Sequence, residues 1–255
     1  MGLRVLVAED NPVNQKLARR MLEKWGCEVD VAADGREAVV AWEAGRYDVI
    51  LMDVQMPVLD GYESTAEIRR SESAGRARTP IIAMTAHALE GDEERCRAAG
   101  MDDYVSKPVK PEALQAALAR WSSAAPAAAP APARPAEPVF DADALDEFCG
   151  SDPEFRREIL TDFLALAPQL LGRMERSLET SDPGELASAS HSLKGSSRSL
   201  GATALGNVCQ ELETLGREQA LDAARASVER ARQEFARLQA ALRPYVGAHD
   251  LGTAD

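Results

Sequence analysis

Two residues in this chain could carry a phosphoryl group, and they stand on different scaffolds. Asp53 closes the apolar run Val49-Ile50-Leu51-Met52 and is followed by Val54-Gln55-Met56-Pro57, whereas His191 opens the segment His191-Ser192-Leu193-Lys194-Gly195. A carboxylate and a neutral imidazole are both nucleophiles toward phosphorus. An aspartate and a histidine in separate modules point to a relay rather than a single reaction.

The elements around Asp53 read as a doubly wound sheet. Leu3 to Ala8, Val29 to Ala32, Val49 to Met52, Pro80 to Met84 and Tyr104 to Val105 are short apolar runs, and the four longer ones suit strands covered on both faces. Amphipathic stretches separate them, such as Val13 to Trp25, opened by Asn11-Pro12 and closed by Gly26. Five strands alternating with five helices predict a parallel α/β sheet that binds ligands beyond the carboxyl ends of its strands. Glu9 and Asp10 follow the first strand, Asp53 ends the third, Thr85 ends the fourth and Lys107 follows the fifth. An acidic pair alone is an ordinary helix start, a lone threonine a helix cap and a lone lysine a loop charge. Together at strand ends they describe a site. Three crowded carboxylates repel one another, and a hard divalent cation, Mg²⁺ by default, is the usual remedy. The cation, the Lys107 ammonium and the Thr85 hydroxyl would receive the oxygens of a phosphoryl group arriving at the nucleophile Asp53.

Around His191 the period is helical. Candidate helices run over 141–148, 153–179, 184–200, 202–215 and 219–244, which with their short connections predict an all-α bundle. Leu186, Leu193 and Leu200 recur every seven residues and mark a buried seam. At 3.6 residues per turn His191 lies roughly 160° from Leu193 and is expected to face solvent, with Lys194, Gly195 and Arg198 within about 60° of it. Gly195 costs on the order of 1 kcal/mol relative to alanine inside a helix, which predicts that something must approach closely. Lys194 and Arg198 would offset the charge of the arriving group.

Between the two patterns, Ser122 to Pro138 is almost entirely Ala, Pro and Ser, a semi-rigid spacer of roughly 3.1 Å per residue where extended. The chain therefore divides into a first domain over 1–121, a linker over 122–139, a second domain over 140–246 and a tail over 247–255. The net charge is −13, and 21 of the 42 acidic residues precede position 122, so neither half suits a nucleic-acid backbone. Cys27, Cys96, Cys149 and Cys209 are far apart, which fits a reducing, cytoplasmic setting better than a disulfide framework. No apolar run approaches a membrane span.

Glu9-Asp10, Asp53 with Met56-Pro57 and Asp60-Gly61, Thr85-Ala86 and Lys107-Pro108 resemble the receiver domains of two-component response regulators over Leu3 to Trp121. The resemblance implies a flavodoxin-like sheet and Mg²⁺ held by the acidic pair, Asp53 and the carbonyl of Gln55. It also implies a cis bond before Pro108 and a switch in which Thr85 moves toward the phosphoryl group while Tyr104 turns inward. Glu9 stands where aspartate is commoner, and Val13 to Leu17 is similar to receivers of hybrid sensor kinases. His191 to Ser196 and Leu200-Gly201-Ala202 resemble the histidine phosphotransfer (Hpt) family from Phe140 to about Val246. Together these imply a phosphorelay protein without a kinase ATP-binding domain. It would be similar to the C-terminal part of hybrid sensor histidine kinases, taking phosphoryl from an upstream sensor histidine kinase and exchanging it with a partner receiver domain. Three alternatives stand beside it. A haloacid-dehalogenase-type phosphatase would want an acid where Gln55 stands, and an FMN-binding flavodoxin would want a neutral first loop. The third is an adaptor whose second domain does not transfer.

Overall fold

The computed structural model describes residues 2–72, 77–85, 90–121, 140–149 and 152–246. The spacer expected over 122–139, the tail over 247–255 and Ala86 lie outside the described residues. Contacts divide the chain into two compact units, Met1–Ala133 and Arg134–Asp255.

In the first unit the strands are β1 (Arg4–Ala8), β2 (Glu28–Ala32), β3 (Val49–Asp53), β4 (Ile81–Thr85) and β5 (Asp103–Ser106). The helices are α1 (Pro12–Lys24), α2 (Gly35–Ala44), α3 (Gly61–Glu72), α4 (Glu90–Ala99) and α5 (Pro111–Trp121). All strand pairs are parallel, in the order β2-β1-β3-β4-β5, the flavodoxin-like arrangement. Every residue of β3 and β4 is buried, as are Val5 to Ala8 of β1. These strands match the reading of apolar runs covered on both faces. β2 does not: it is an edge strand with only Ala32 fully buried, and its Asp30 accepts from Arg4 and from the Tyr47 hydroxyl.

Local chemistry sets the helix starts. The Asn11 side chain accepts from the main-chain N–H groups of Val13 and Asn14, and Pro12 takes the first helical position, where no N–H is needed. Gly26 ends that turn with φ +77°, a conformation glycine adopts without strain.

The second unit consists of α6 (Ala142–Cys149), α7 (Pro153–Thr180), α8 (Pro183–Ser199), α9 (Thr203–Arg217) and α10 (Leu221–Val246). Asp152-Pro153 and Asp182-Pro183 open α7 and α8 in the same way as Asn11-Pro12. The core is aliphatic, with Phe163 and Phe235 meeting edge to face at 6.3 Å. Two glycines bring α9 against α8. A Cβ on Gly216 would lie 2.8 Å from Ala187 N and 2.9 Å from Pro183 O, and one on Gly206 would lie 2.8 Å from Arg198 Cγ. Gly201, with φ +76°, has its own close neighbour, since a Cβ there would lie 2.4 Å from the Asp141 carbonyl. The Leu-Gly-Ala segment thus seats the start of α6 beneath the end of α8.

The Leu186, Leu193 and Leu200 seam is buried as expected, but it is not the only buried side of α8. Ser190, Ser192, Ser196, Ser197 and Ser199 are buried too. Small side chains let neighbouring helices close in around the element, which removes the solvent face that a single apolar stripe would leave.

Candidate functional site

Parallel register brings the carboxyl ends of the strands level. Ala8 pairs with Met52, Asp53 with Met84 and Thr85 with Ser106, so the residues at or just beyond those ends share one edge. There the carboxylates of Glu9, Asp10 and Asp53 offer oxygens lying within 4.8 Å of one another, a set that suits a hard cation. Lys107 lies among them. Its Nζ donates to Asp53 Oδ2 at 2.6 Å and to Glu9 Oε2 at 2.7 Å. Burial alone would lower its pKa, but the charges of Asp53 and Glu9 and their hydrogen bonds outweigh burial and raise it. The main-chain N–H of Lys107 donates to the Thr85 carbonyl at 2.6 Å, and the peptide to Pro108 is cis. Thr85 is 5 % exposed, and Tyr104 on β5 packs partly buried against the core.

The loop after β3 is tightly built. Asp53 Oδ1 accepts from the Gln55 N–H at 3.1 Å. Val58 has φ +69°, rare for a β-branched residue, in a three-residue turn closed by Leu59 N–H to the Pro57 carbonyl at 2.8 Å. A Cβ on Gly61 would lie 2.2 Å from the Asp53 carbonyl, so glycine lets α3 begin directly against the acceptor strand.

In the second unit the imidazole of His191 is nearly enclosed, with the residue 8 % exposed. Its Nδ1 lies 3.1 Å from Glu213 Oε1 on α9. Lys194, 2 % exposed, donates to the other oxygen of that carboxylate, and Arg217 donates to Oε1. Burial would raise the Glu213 pKa, but the hydrogen bond and charge of His191 and the ammonium of Lys194 win, and it is lowered to about 2. Burial lowers the pKa of Lys194, and Glu213 offsets this only in part.

Comparison with known families decides what these two sites belong to. Residues 5–119 match the response regulator receiver domain, and residues 158–241 match the Hpt domain. The chain belongs to the two-component phosphorelay proteins. It joins a receiver domain to an Hpt domain. The sensor protein GacS of Pseudomonas syringae is 33% identical over 232 residues, covering 85% of this chain and 25% of that protein. The virulence sensor protein BvgS of Bordetella pertussis is 31% identical over 231 residues, covering 86% of this chain and 19% of that protein. The chain thus spans a quarter or less of these curated relatives. Among solved structures, the receiver domain of the sensor histidine kinase PA1611 from Pseudomonas aeruginosa, which holds a magnesium ion in its active site cleft, is 52% identical. That match has a TM-score of 0.44 and covers 48% of this chain and 98% of the other.

In the receiver domain, the structure brings Glu9, Asp10, Asp53 and Lys107 together and places Gln55 and Thr85 beside them. The Val13-Asn14-Gln15 stretch, whose pattern alone points to no chemistry, has a task in the fold. Here Asn14 Nδ2 donates to Glu9 Oε1 at 3.0 Å and Gln15 Nε2 to the Glu9 carbonyl at 2.6 Å, so α1 fixes the longer acid in place.

In the Hpt domain three expectations need correction. His191 does not face open solvent, because α9 closes over that side of α8. Lys194 is not an exposed cation beside the ring but a buried one held by Glu213. Arg198 lays its stem across Gly206 and donates to Asn207 Oδ1 at 3.3 Å, while Gly195 is partly buried. Glu213 and Arg217 were missed altogether. A signal existed: Leu205, Cys209, Leu212 and Gly216 form a buried stripe, and Glu213 lies four residues after Cys209 inside it. A carboxylate in a core stripe needs a partner.

Proposed function

We propose that Asp53 accepts a phosphoryl group from a phosphohistidine of an upstream sensor histidine kinase, and that His191 carries a further His-Asp step with a partner receiver domain. The observation that carries this reading is that each acceptor is tied to a lysine and a carboxylate: Lys107 binds Asp53 directly, and Lys194 binds the carboxylate that holds His191.

At Asp53 the carboxylate oxygens act as nucleophile, and Lys107 is placed to meet the incoming phosphoryl oxygens. Mg²⁺ is the cation that the all-oxygen donor set favours. Glu9, Asp10, Asp53 and the main-chain carbonyl of Gln55 would hold it, and when bound it would supply positive charge against the arriving oxygens. Thr85, at the adjacent strand end, is the hydroxyl that would follow the phosphoryl group, with Tyr104 on the next strand as the aromatic that turns inward behind it.

At His191 the ionised Glu213 accepts from Nδ1, which leaves Nε2 as the attacking nitrogen. Gly195 and Arg198 lie one and two turns further along α8 and belong to the surface a receiver would meet. Partners are other phosphorelay proteins rather than nucleic acid, in keeping with the net charge of −13. Among the described residues no helix is long and apolar enough to cross a membrane. A reducing cytoplasm is the compartment we assign, supported by the free, buried thiols of Cys27 and Cys209.

Intact-mass measurement after incubation with Mg²⁺ and acetyl phosphate tests the first half. One phosphate should be added, and it should be lost in Asp53→Ala and in EDTA. Labelling that persists in Asp53→Ala sinks the assignment. Phosphotransfer from a panel of purified sensor kinases, with and without His191→Gln, tests the second half.

A further inference from the structure

We propose that Glu213 sets how long a phosphoryl group stays on His191, by keeping a hydrogen on Nδ1 and so holding the ring in the form from which phosphorus leaves most readily. The inference rests on His191 being the phosphoryl carrier and adds the residue that governs lability there.

An ionised carboxylate accepts hydrogen bonds and cannot donate them. Glu213 is 1 % exposed and ionised between two cations, Lys194 donating to Oε2 and Arg217 to Oε1, and His191 Nδ1 lies 3.1 Å from Oε1. Nδ1 therefore carries the hydrogen, and the lone pair is on Nε2. In the accepting step that lone pair attacks phosphorus, the bond from phosphorus to the donor's acyl oxygen breaks, and its electron pair remains on the carboxylate. The product bears phosphoryl on Nε2 and hydrogen on Nδ1, a ring cation facing the Glu213 anion. In the delivering step the bond from phosphorus to Nε2 breaks, its electron pair stays on nitrogen, and the ring departs as neutral imidazole. Without the Nδ1 hydrogen it would have to depart as an imidazolate, a far poorer leaving group. An amide at position 213 has no charge to hold that hydrogen, and its NH₂ can instead donate to a bare Nδ1.

Among the described residues, the charged groups around the pair leave Glu213 as the group that can accept this hydrogen. From α8 come Lys194 and Arg198, both cations. From α9 comes Arg217, together with the Cys209 thiol, which burial pushes up to about 12. From α7, Arg173 donates at 2.6 Å to Glu185, six residues before His191 on α8. Ser227 and Arg230 on α10 hold Glu211 rather than Glu213.

The test uses the full chain carrying Asp53→Asn, so that phosphoryl on His191 has no aspartyl acceptor in the receiver site, with and without Glu213→Gln. Phosphoramidate labels the histidine, phosphorus NMR identifies the labelled nitrogen, and loss of label is followed from about pH 6 to about pH 9, across the range where an imidazole proton is ordinarily lost. With Glu213 present, the label should be on Nε2 and its decay should change little over that range. With Glu213→Gln, decay should match near the acidic end and be at least about tenfold slower at the alkaline end, the scale of a lost acid–base contribution. Superimposable profiles, or a label on Nδ1 in the Glu213 protein, would overturn the inference. If neither form takes label at His191, the reading of His191 as carrier falls, and the inference with it. Should Glu213→Gln fail to fold, Glu213→Asp, one methylene short of the ring, takes its place. The same alkaline slowing is expected, and a profile like that of Glu213 overturns the proposal.

Discussion

Lys107 donates to Asp53 from the loop after β5, 2.6 Å from Oδ2, and the same ammonium reaches Glu9 beyond β1. One cation therefore ties together groups from three strand ends. Replacing it with alanine would leave buried carboxylates facing each other, and breaking a buried pair costs about 3–5 kcal/mol. Lys107→Ala should lower the melting temperature of the receiver domain in EDTA, recover part of it in Mg²⁺, and label poorly from acetyl phosphate. Equal melting curves in EDTA for the two proteins would show that the lysine is only a loop cation.

Acid should probe Glu213. Its pKa is lowered from 4.5 to about 2 in the fold, so its contribution is fully present above 4.5 and is lost as pH falls toward 2. Urea unfolding of the Hpt domain should show wild type more stable than Glu213→Gln near neutrality, with the gap narrowing through that window. A gap independent of pH would mean that the carboxylate's charge does not hold α8 to α9.

The two glycines of the α8/α9 seam should differ in their tolerance of a methyl group. At Gly216 the added carbon meets backbone, Ala187 N and Pro183 O, whereas at Gly206 it meets the flexible Arg198 stem. Gly216→Ala should cost about 1–3 kcal/mol as overpacking, and Gly206→Ala less. Chemical denaturation that ranks them the other way would contradict the packing described for this seam.

Access to the imidazole makes a fourth case. A receiver must bring its aspartate within about 3 Å of Nε2 for reaction, and His191 is only 8 % exposed. Gly195→Leu places bulk one turn away while favouring the helix. The variant should melt within a few degrees of wild type, label normally at Asp53, and lose most transfer between His191 and a partner receiver. Transfer at the wild-type rate would show the glycine to be merely tolerated.

Much of this molecule was written in local sequence. Apolar runs, the Asn11-Pro12, Asp152-Pro153 and Asp182-Pro183 starts and the placement of Glu9, Asp10, Asp53, Thr85 and Lys107 at strand ends all follow from side-chain period and capping chemistry, which act over a few residues. The receiver site was legible because parallel strands must end on one edge. The Hpt site was legible only in its acceptor. A seven-residue leucine repeat reports one neighbour of α8 and is silent about a second, so the exposure predicted for His191 and Lys194 failed. That second neighbour depends on Gly206 and Gly216 letting α9 approach, and on Glu213 arriving 22 positions after the histidine it holds. Only tertiary packing decides which carboxylate enters a buried cluster, because desolvation and pairing are properties of the assembled interior rather than of any one helix.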